Sequence, residues 1–388
     1  MKKEKLRQAI TAVAGLLPLR RRVLLESSPD LACNVYPVFE RMLHDARFRD
    51  VELLWLVKNP DEWAEKYPAP QVRFVAYDPF QTASRIRAIR LALTSRCILF
   101  CNKTLWSPRR GQLSLFLGHG TPIKQCKGIY TPGSFCNLWS YPSEQVKEIM
   151  QEQLGLRPEQ GILLGYPRCD ALFHPEGALD RIVARNGRKI VFWLPTFRQQ
   201  STQNHKNSNY VLPGCGLPLL TREGDLEQLN ALCEKNGILL VLKPHPMQDM
   251  SAIRAGNFSA FRLISDTELR ENHVQLYQVL ADADALLTDY SSVYCDFLLT
   301  GKPIALTFDD LEQYRNSRGL VRSDIRETVK GRYLYQLSDL GDFLGELSRG
   351  EDPEKEARAF ANNYYNELQD DGAAQRVADV LADFLNRS

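Results

Sequence analysis

The chain lacks the marks of several large protein classes. No apolar run approaches the ~20 residues that a bilayer span needs. The N-terminus carries charges but no unbroken apolar stretch before Leu16, so neither a spanning helix nor a secretory leader is expected. The nine cysteines include no CxxC pair. Cys97, Cys101, Cys233 and Cys295 sit in apolar surroundings and read as buried thiols of a reducing cytosol, not as a disulfide framework or a zinc site. There is no GxGxxG and no GxxxxGK[ST], which argues against hydride transfer and against a P-loop. Net charge is only +2, so nothing global points to nucleic acid. No internal repeat or low-complexity tract occurs. Asp282 and Asp284 flank Ala283 and read as a helix C-terminal turn rather than a metal site, so no bound metal is expected.

What is present is an ordinary globular composition. Hydrophobic residues make up 44% and charged residues 25% of 388, enough for two or three domains with full cores. From Val23 onward, short apolar runs alternate with amphipathic segments. Strands are expected at Val23–Glu26, Val51–Val57, Val72–Tyr77, Cys97–Cys101, Leu113–Leu117 and Gly161–Leu164, and a helical pattern covers residues 137–154. The order then repeats from Lys189. Such alternation predicts parallel, doubly wound sheets whose ligand crevices lie at the carboxyl ends of the strands. The expected architecture is α/β: two Rossmann-like domains facing a cleft, with C-terminal helices crossing back to the N-terminal domain. The expected boundaries are 1–180, 181–370 and a final helix over 371–388, with the break in the polar stretch 175–188. Residues 2–22 place Leu6, Ile10, Val13 and Leu17 at helical spacing between basic flanks. They read either as a basic amphipathic helix on an anionic membrane or as an ordinary docked helix, limited by Gly15 and Pro18.

Four polar clusters each follow an apolar run. Gly118-His119-Gly120-Thr121-Pro122-Ile123-Lys124 lets the backbone turn sharply around a histidine, a candidate general base or a loop histidine with a structural bond. Pro195-Thr196-Phe197-Arg198 is the second. Lys243-Pro244-His245-Pro246 holds a histidine between prolines, as a ligand contact or as a stiff loop. Thr288-Asp289-Tyr290-Ser291-Ser292 comes between a strand and a helix. There, free N–H groups and hydroxyls suit a phosphate, although Asp289 or Ser291 could simply cap the helix. Arg168 could meet a phosphate or pair with Asp170. Cations, hydroxyls and helix-start amides together suit a nucleotide diphosphate.

In their order HGTPIK, GYPRCD, WLPTFR, KPHP, LLTDYSSVYCDFLLTGKPI and DLEQYRNSRG, these motifs resemble the CDP-glycerol glycerophosphotransferase family, the teichoic-acid and capsule primases and polymerases. The resemblance spans about Leu24 to Leu320 and rests most on HGTP and TDYSS. It implies a glycosyltransferase-B-type fold and transfer of glycerol phosphate from a CDP-alditol to a hydroxyl, with release of CMP. It implies His119 as the base in an N-terminal acceptor domain and His245 on the donor pyrophosphate. Ser291 and Ser292 would hold the phosphates, with Thr196, Arg198, Lys243 and Asp289 in the same donor pocket. Gly120, Thr121, Lys124, Arg168 and Arg318 are further candidate substrate contacts. The sequence departs from the family in Gly118, where an aromatic is usual, and in Phe197, where Trp is usual. Neither change removes a catalytic group.

The implied role is a priming transferase for capsule or teichoic-acid-like polymers. It would act on a lipid-linked glycan, in the cytoplasm against the inner face of the membrane. No tightly bound cofactor is expected, with Mg2+ entering at most with the pyrophosphate. The alternatives are a poly(alditol phosphate) polymerase, a CDP-ribitol-dependent transferase, a nucleotide-sugar glycosyltransferase of the same fold, and a non-catalytic nucleotide-binding protein.

Overall fold

The structure, a computed structural model, describes residues 17–102, 107–128, 132–198, 212–244, 256 and 258–387. The chain divides into two units. Unit 1 comprises the chain up to Thr121, Cys126–Asp170, and the tail from Glu367 on; unit 2 comprises Pro122–Gln125 and Ala171–Asn366.

Unit 1 holds seven strands: β1 (Arg20–Glu26), β2 (Glu52–Val57), β3 (Val72–Ala76), β4 (Ser95–Phe100), β5 (Leu113–Phe116), β6 (Leu138–Tyr141) and β7 (Gly161–Leu163). They form one sheet in the order β3-β2-β1-β4-β5-β6-β7, every pair parallel. Unit 2 holds β8 (Lys189–Trp193), β9 (Ile238–Leu242), β10 (Phe261–Leu263), β11 (Ala285–Thr288), β12 (Ile304–Thr307) and β13 (Arg332–Leu334). Their order is β10-β9-β8-β11-β12-β13, again all parallel. Both sheets start at an inner strand, wind outward one way, then cross to the other side. The strand order therefore reverses between β1 and β4 and between β8 and β11. Loops leaving those strand ends splay apart there, and open α/β sheets bind ligands at that point.

Strands buried on both faces need unbroken apolar runs. All five residues of β9 and all four of β5, β11 and β12 are buried. This is why most strands were readable in the sequence. Residues 137–154 are an exception to the expectation. Leu138–Tyr141 forms β6, and only Glu144–Leu154 is helical, started by Ser143, whose hydroxyl accepts the Val146 N–H at 3.2 Å. Pro142 between them removes an N–H and stops a helix from extending back through Trp139.

The basic run at residues 20–22 is likewise strand rather than helix flank. Arg22 is buried and bonds Glu52 at 2.7 Å, and Arg21 donates to the Leu385 carbonyl at 2.8 Å. The earlier part of the expected N-terminal helix, residues 2–16, lies outside the described residues.

The division between units falls at Asp170/Ala171, ahead of the polar stretch 175–188. The reason is local. Asp282, the last residue of helix Leu276–Asp282, accepts the N–H groups of Gly177 and Leu179 at 3.0 and 2.8 Å, tying that stretch to unit 2. The tail returns to unit 1. Helix Ala373–Asn386 places Ala374, Val377, Ala378, Leu381 and Leu385 in one core with Val23, Val35, Phe39 and Leu53.

Candidate functional site

In unit 1 the candidate histidine follows β5. Gly118 and Gly120 have φ of +71° and +110°, left-handed values that only glycine adopts freely. They turn the chain so that Gly118 is buried while His119 is exposed. Two other segments converge on this turn. Asn34, at the start of helix Val35–His44, donates through Nδ2 to the carbonyls of Leu117 and Gly118 at 3.1 and 3.0 Å. Its Oδ1 accepts the Arg168 N–H at 3.1 Å. The Arg168 side chain, nearly buried, donates from Nη1 to the His119 carbonyl at 3.3 Å. Cys33 brings its sulfur 3.1 Å from His119 Nδ1.

Arg168 is thus not a surface residue paired with Asp170. Asp170 instead accepts the N–H groups of Ala373 and Ala374. Thr121 is buried, and its hydroxyl has no partner among the described residues. Lys124 bridges Leu320 in antiparallel fashion, and Arg318 donates to the Gln125 carbonyl at 2.5 Å. Pro122–Gln125 is therefore an edge segment of unit 2. The Arg318 bond gives that side chain a structural task which the sequence did not foretell.

In unit 2 the strands on either side of the order reversal, β8 and β11, carry Thr196 and Asp289 just past their ends. Asp289 accepts the Thr196 N–H at 2.8 Å and also its hydroxyl. Arg198 then donates to Asp289 at 2.6 Å and to Asp310, beyond β12, at 2.7 and 3.2 Å. Tyr290 donates to Asp310 at 2.9 Å and stacks on Tyr314 at 3.9 Å, with the guanidinium 5.1 Å from both rings.

Burial opposes the charge on Arg198, but Asp289 and Asp310 outweigh it and hold the guanidinium firmly protonated. Burial, then Asp310, pushes the Tyr290 hydroxyl up, so it stays a donor. Burial lifts Asp309 to about 6, partly offset by the Leu219 N–H.

This arrangement gives Arg198 and Asp289 a structural task. Both are essentially solvent-free, at 1% and 0% exposure. Their polar atoms face each other, so they fasten three strand ends together. Asp289 does not cap the following helix either. That helix, Val293–Phe297, is a single short stretch continued by a 3-10 turn, and Ser291 Oγ accepts the Val293 N–H at 3.5 Å. Ser291, Ser292 and Thr196 remain half-buried at the strand ends. Lys243, after β9, pairs with Asp266 at 2.8 Å. His245 lies outside the described residues. Asp282 and Asp284 bond backbone amides and Arg185, consistent with the helix-end reading. Cys33, which sequence reasoning passed over, could have been flagged only by its place in the loop after β1, at the order reversal.

A profile of the family described as CDP-Glycerol:Poly(glycerophosphate) glycerophosphotransferase matches residues 11–383. The chain belongs to this family. Among its relatives, the teichoic acid glycerol-phosphate primase of Bacillus subtilis (strain 168) is 25% identical over 267 residues, 69% of this chain and 62% of the primase. The chain thus spans under two thirds of that relative's length. The teichoic acid poly(glycerol phosphate) polymerase of Bacillus spizizenii is 25% identical over 341 residues, 79% of each protein. A solved structure of the wall teichoic acid polymerase TagF superimposes with a TM-score of 0.71 at 18% identity, covering 97% of this chain and 93% of that one. The likeness to TagF bears out the two-sheet glycosyltransferase-B-type architecture. The HGTP turn and the TDYSS strand end, which carried the resemblance to this family, each sit in a polar network of buried side chains.

Proposed function

We propose that this chain transfers glycerol phosphate from CDP-glycerol to a hydroxyl of a lipid-linked glycan, releasing CMP, as a priming enzyme of a capsule or teichoic-acid-like polymer. The observation that carries the reading is the Gly118-His119-Gly120 turn in a member of this family. It presents an exposed imidazole at a strand end, with its backbone clamped by Asn34 and Arg168.

In this mechanism the acceptor oxygen attacks the β-phosphorus of CDP-glycerol. A new P–O bond forms, the pyrophosphate P–O bond breaks toward CMP, and the hydroxyl proton passes to His119. A positioned base of this kind contributes roughly 10²–10⁴-fold. Ser291, Ser292 and Thr196 supply hydroxyls to the donor phosphates, Lys243 and His245 supply positive charge, and Gly120, Thr121 and Lys124 border the acceptor. Arg198 and Asp289 act by holding the strand ends in place. No tightly bound metal is required, and any Mg2+ arrives with the donor.

The protein works at the inner face of the membrane, a reading supported by the basic, amphipathic pattern of residues 2–16. Among the described residues no helix is long and apolar enough to cross a bilayer. Deleting residues 2–16 is expected to weaken binding to anionic liposomes.

A polymerase is the second reading, favoured by the match over 79% of both chains to the B. spizizenii polymerase. The test is mass spectrometry of products, with CMP release measured from CDP-glycerol, CDP-ribitol and a UDP-sugar. One or two added units support priming, and long ladders support polymerisation. Turnover of the UDP-sugar alone would sink both.

A further inference from the structure

We propose that Cys33 is the positioning residue of His119: its sulfur accepts the Nδ1–H of the imidazole and leaves Nε2 bare to take the acceptor's proton. The inference rests on the reading of His119 as the base.

The sulfur lies 3.1 Å from Nδ1. A neutral imidazole carries one proton, on either nitrogen, and the partner of the other nitrogen decides which. Carboxylates commonly play that part, yet no carboxylate is recorded on this ring among the described residues. A neutral thiol would serve poorly, but this sulfur is surrounded by donors. Arg168 Nη1 stands 3.6 Å away while also bonding the His119 carbonyl. Cys101, one residue beyond β4, is the other thiol whose ionisation is linked to that of Cys33.

The two thiols are set apart by their surroundings. The neighbouring Cys101, then Arg168 and His119, hold the Cys33 thiol well below its usual range despite burial. Burial and the neighbouring Cys33 push Cys101 well up, with Glu26 at the end of β1 adding to this. Of the two thiols, Cys101 is the one held protonated and Cys33 the one inclined to ionise, which suits the Cys33 sulfur to accept Nδ1–H. The groups facing Cys33 from the surrounding elements are thus Arg168 and His119, both donors, and the neutral Cys101. The carboxylate of Glu26 acts on Cys101.

The backbone shows the same commitment. Cys33 sits at φ +59° and Leu31 at φ +45°, left-handed values that residues with side chains adopt only at a cost. Such strain persists only where the surroundings over-determine it. Here it turns the Cys33 side chain onto the histidine.

The test uses the full chain. Selectively 15N-histidine-labelled protein, with His119 assigned through His119→Asn, is expected to show His119 protonated at Nδ1 in the neutral ring. In Cys33→Ala that preference is lost. In CMP-release assays Cys33→Ala lowers kcat about 10–100-fold with KM for the donor within about twofold, and Cys33→Asp recovers most of it because a carboxylate also accepts Nδ1–H. An Nε2-protonated His119 in the unmodified protein overturns the proposal, even if Cys33→Ala fails to fold. Wild-type kcat in folded Cys33→Ala overturns it too. If no CDP-alditol is turned over by the unmodified protein, the functional reading fails, while the tautomer still decides the Cys33–His119 relationship.

Discussion

The Arg198 guanidinium meets the Asp289 carboxylate at 2.6 Å with neither side chain reaching solvent. Because Asp310 holds the other side of the same guanidinium, removing the arginine strands two buried carboxylates. Arg198→Ala is expected to cost about 3–5 kcal/mol of unfolding free energy, read by urea denaturation of unit 2 signals. Arg198→Lys should rescue little, since one ammonium cannot span both carboxylates in the arginine fork geometry. A loss under about 1 kcal/mol would remove the fastening role given to this pair.

Asp170 reaches across the sequence to the first turn of helix Ala373–Asn386, whose N-cap is the side-chain-free Gly372. Burial raises its carboxyl to about 7, against the pull of the Ala374 and Ala373 amides. The unfolded value is near 4. The folded protein therefore holds a proton that the unfolded chain has released. The stability from that proton is complete below about pH 4 and is lost as pH rises toward 7. Asp170→Asn should flatten the slope of unfolding free energy in that window. A wild-type slope in the variant would contradict the assignment.

Gly118→Ala is opposed by the backbone: its φ is +71°, while the added Cβ would only reach contact distance of the Tyr166 ring, 3.4 Å, and Met150, 3.5 Å. The expected loss is about 1–2 kcal/mol of stability, with a larger fall in transfer rate because His119 shifts with the turn. Unfolding and CMP-release measurements on one sample separate the two effects. An unchanged rate would show that the turn does not place the imidazole.

Gly319→Ala should free the segment Pro122–Gln125. A Cβ there would come 2.9 Å from Gln125 Oε1 at a φ of +79°. The bonds at risk are Gln125 N–H to Gly319 O at 3.2 Å and Val321 N–H to Ile123 O at 2.9 Å. Hydrogen exchange should speed up at Gln125 and Val321, by tenfold for each ~1.4 kcal/mol lost, with little change at β9. Equal acceleration throughout unit 2 would mean general destabilisation instead.

Much of this was legible in the sequence, for a physical reason. Parallel strands are buried on both faces, so β5, β8, β9 and β11 appear as apolar runs, and the polar residues after them mark the strand ends. What was hidden depends on distant partners. Arg198 reads as a phosphate ligand, and nothing near it in the chain announces its bonds to Asp289 and Asp310, 91 and 112 residues away. Cys33 looks like one more thiol until a left-handed backbone turns it onto His119, 86 residues on. β6 was missed because four residues beside a long amphipathic helix carry little signal of their own. The last helix crosses back to unit 1 as expected, but its amphipathic period named none of the residues, such as Val23 and Leu53, with which it shares a core.

The return of that helix has a consequence for biogenesis. Unit 1 contains the first strand of the chain and a core face completed by Val377, Leu381 and Leu385. A ribosome working from the N-terminus thus finishes every strand of unit 1, and then all of unit 2, before supplying the piece that seals the first core. The second unit can close while its predecessor still exposes the seat of Leu381. During that interval the nascent chain presents the apolar surface that helix Ala373–Asn386 later covers, and chaperone occupancy should concentrate there.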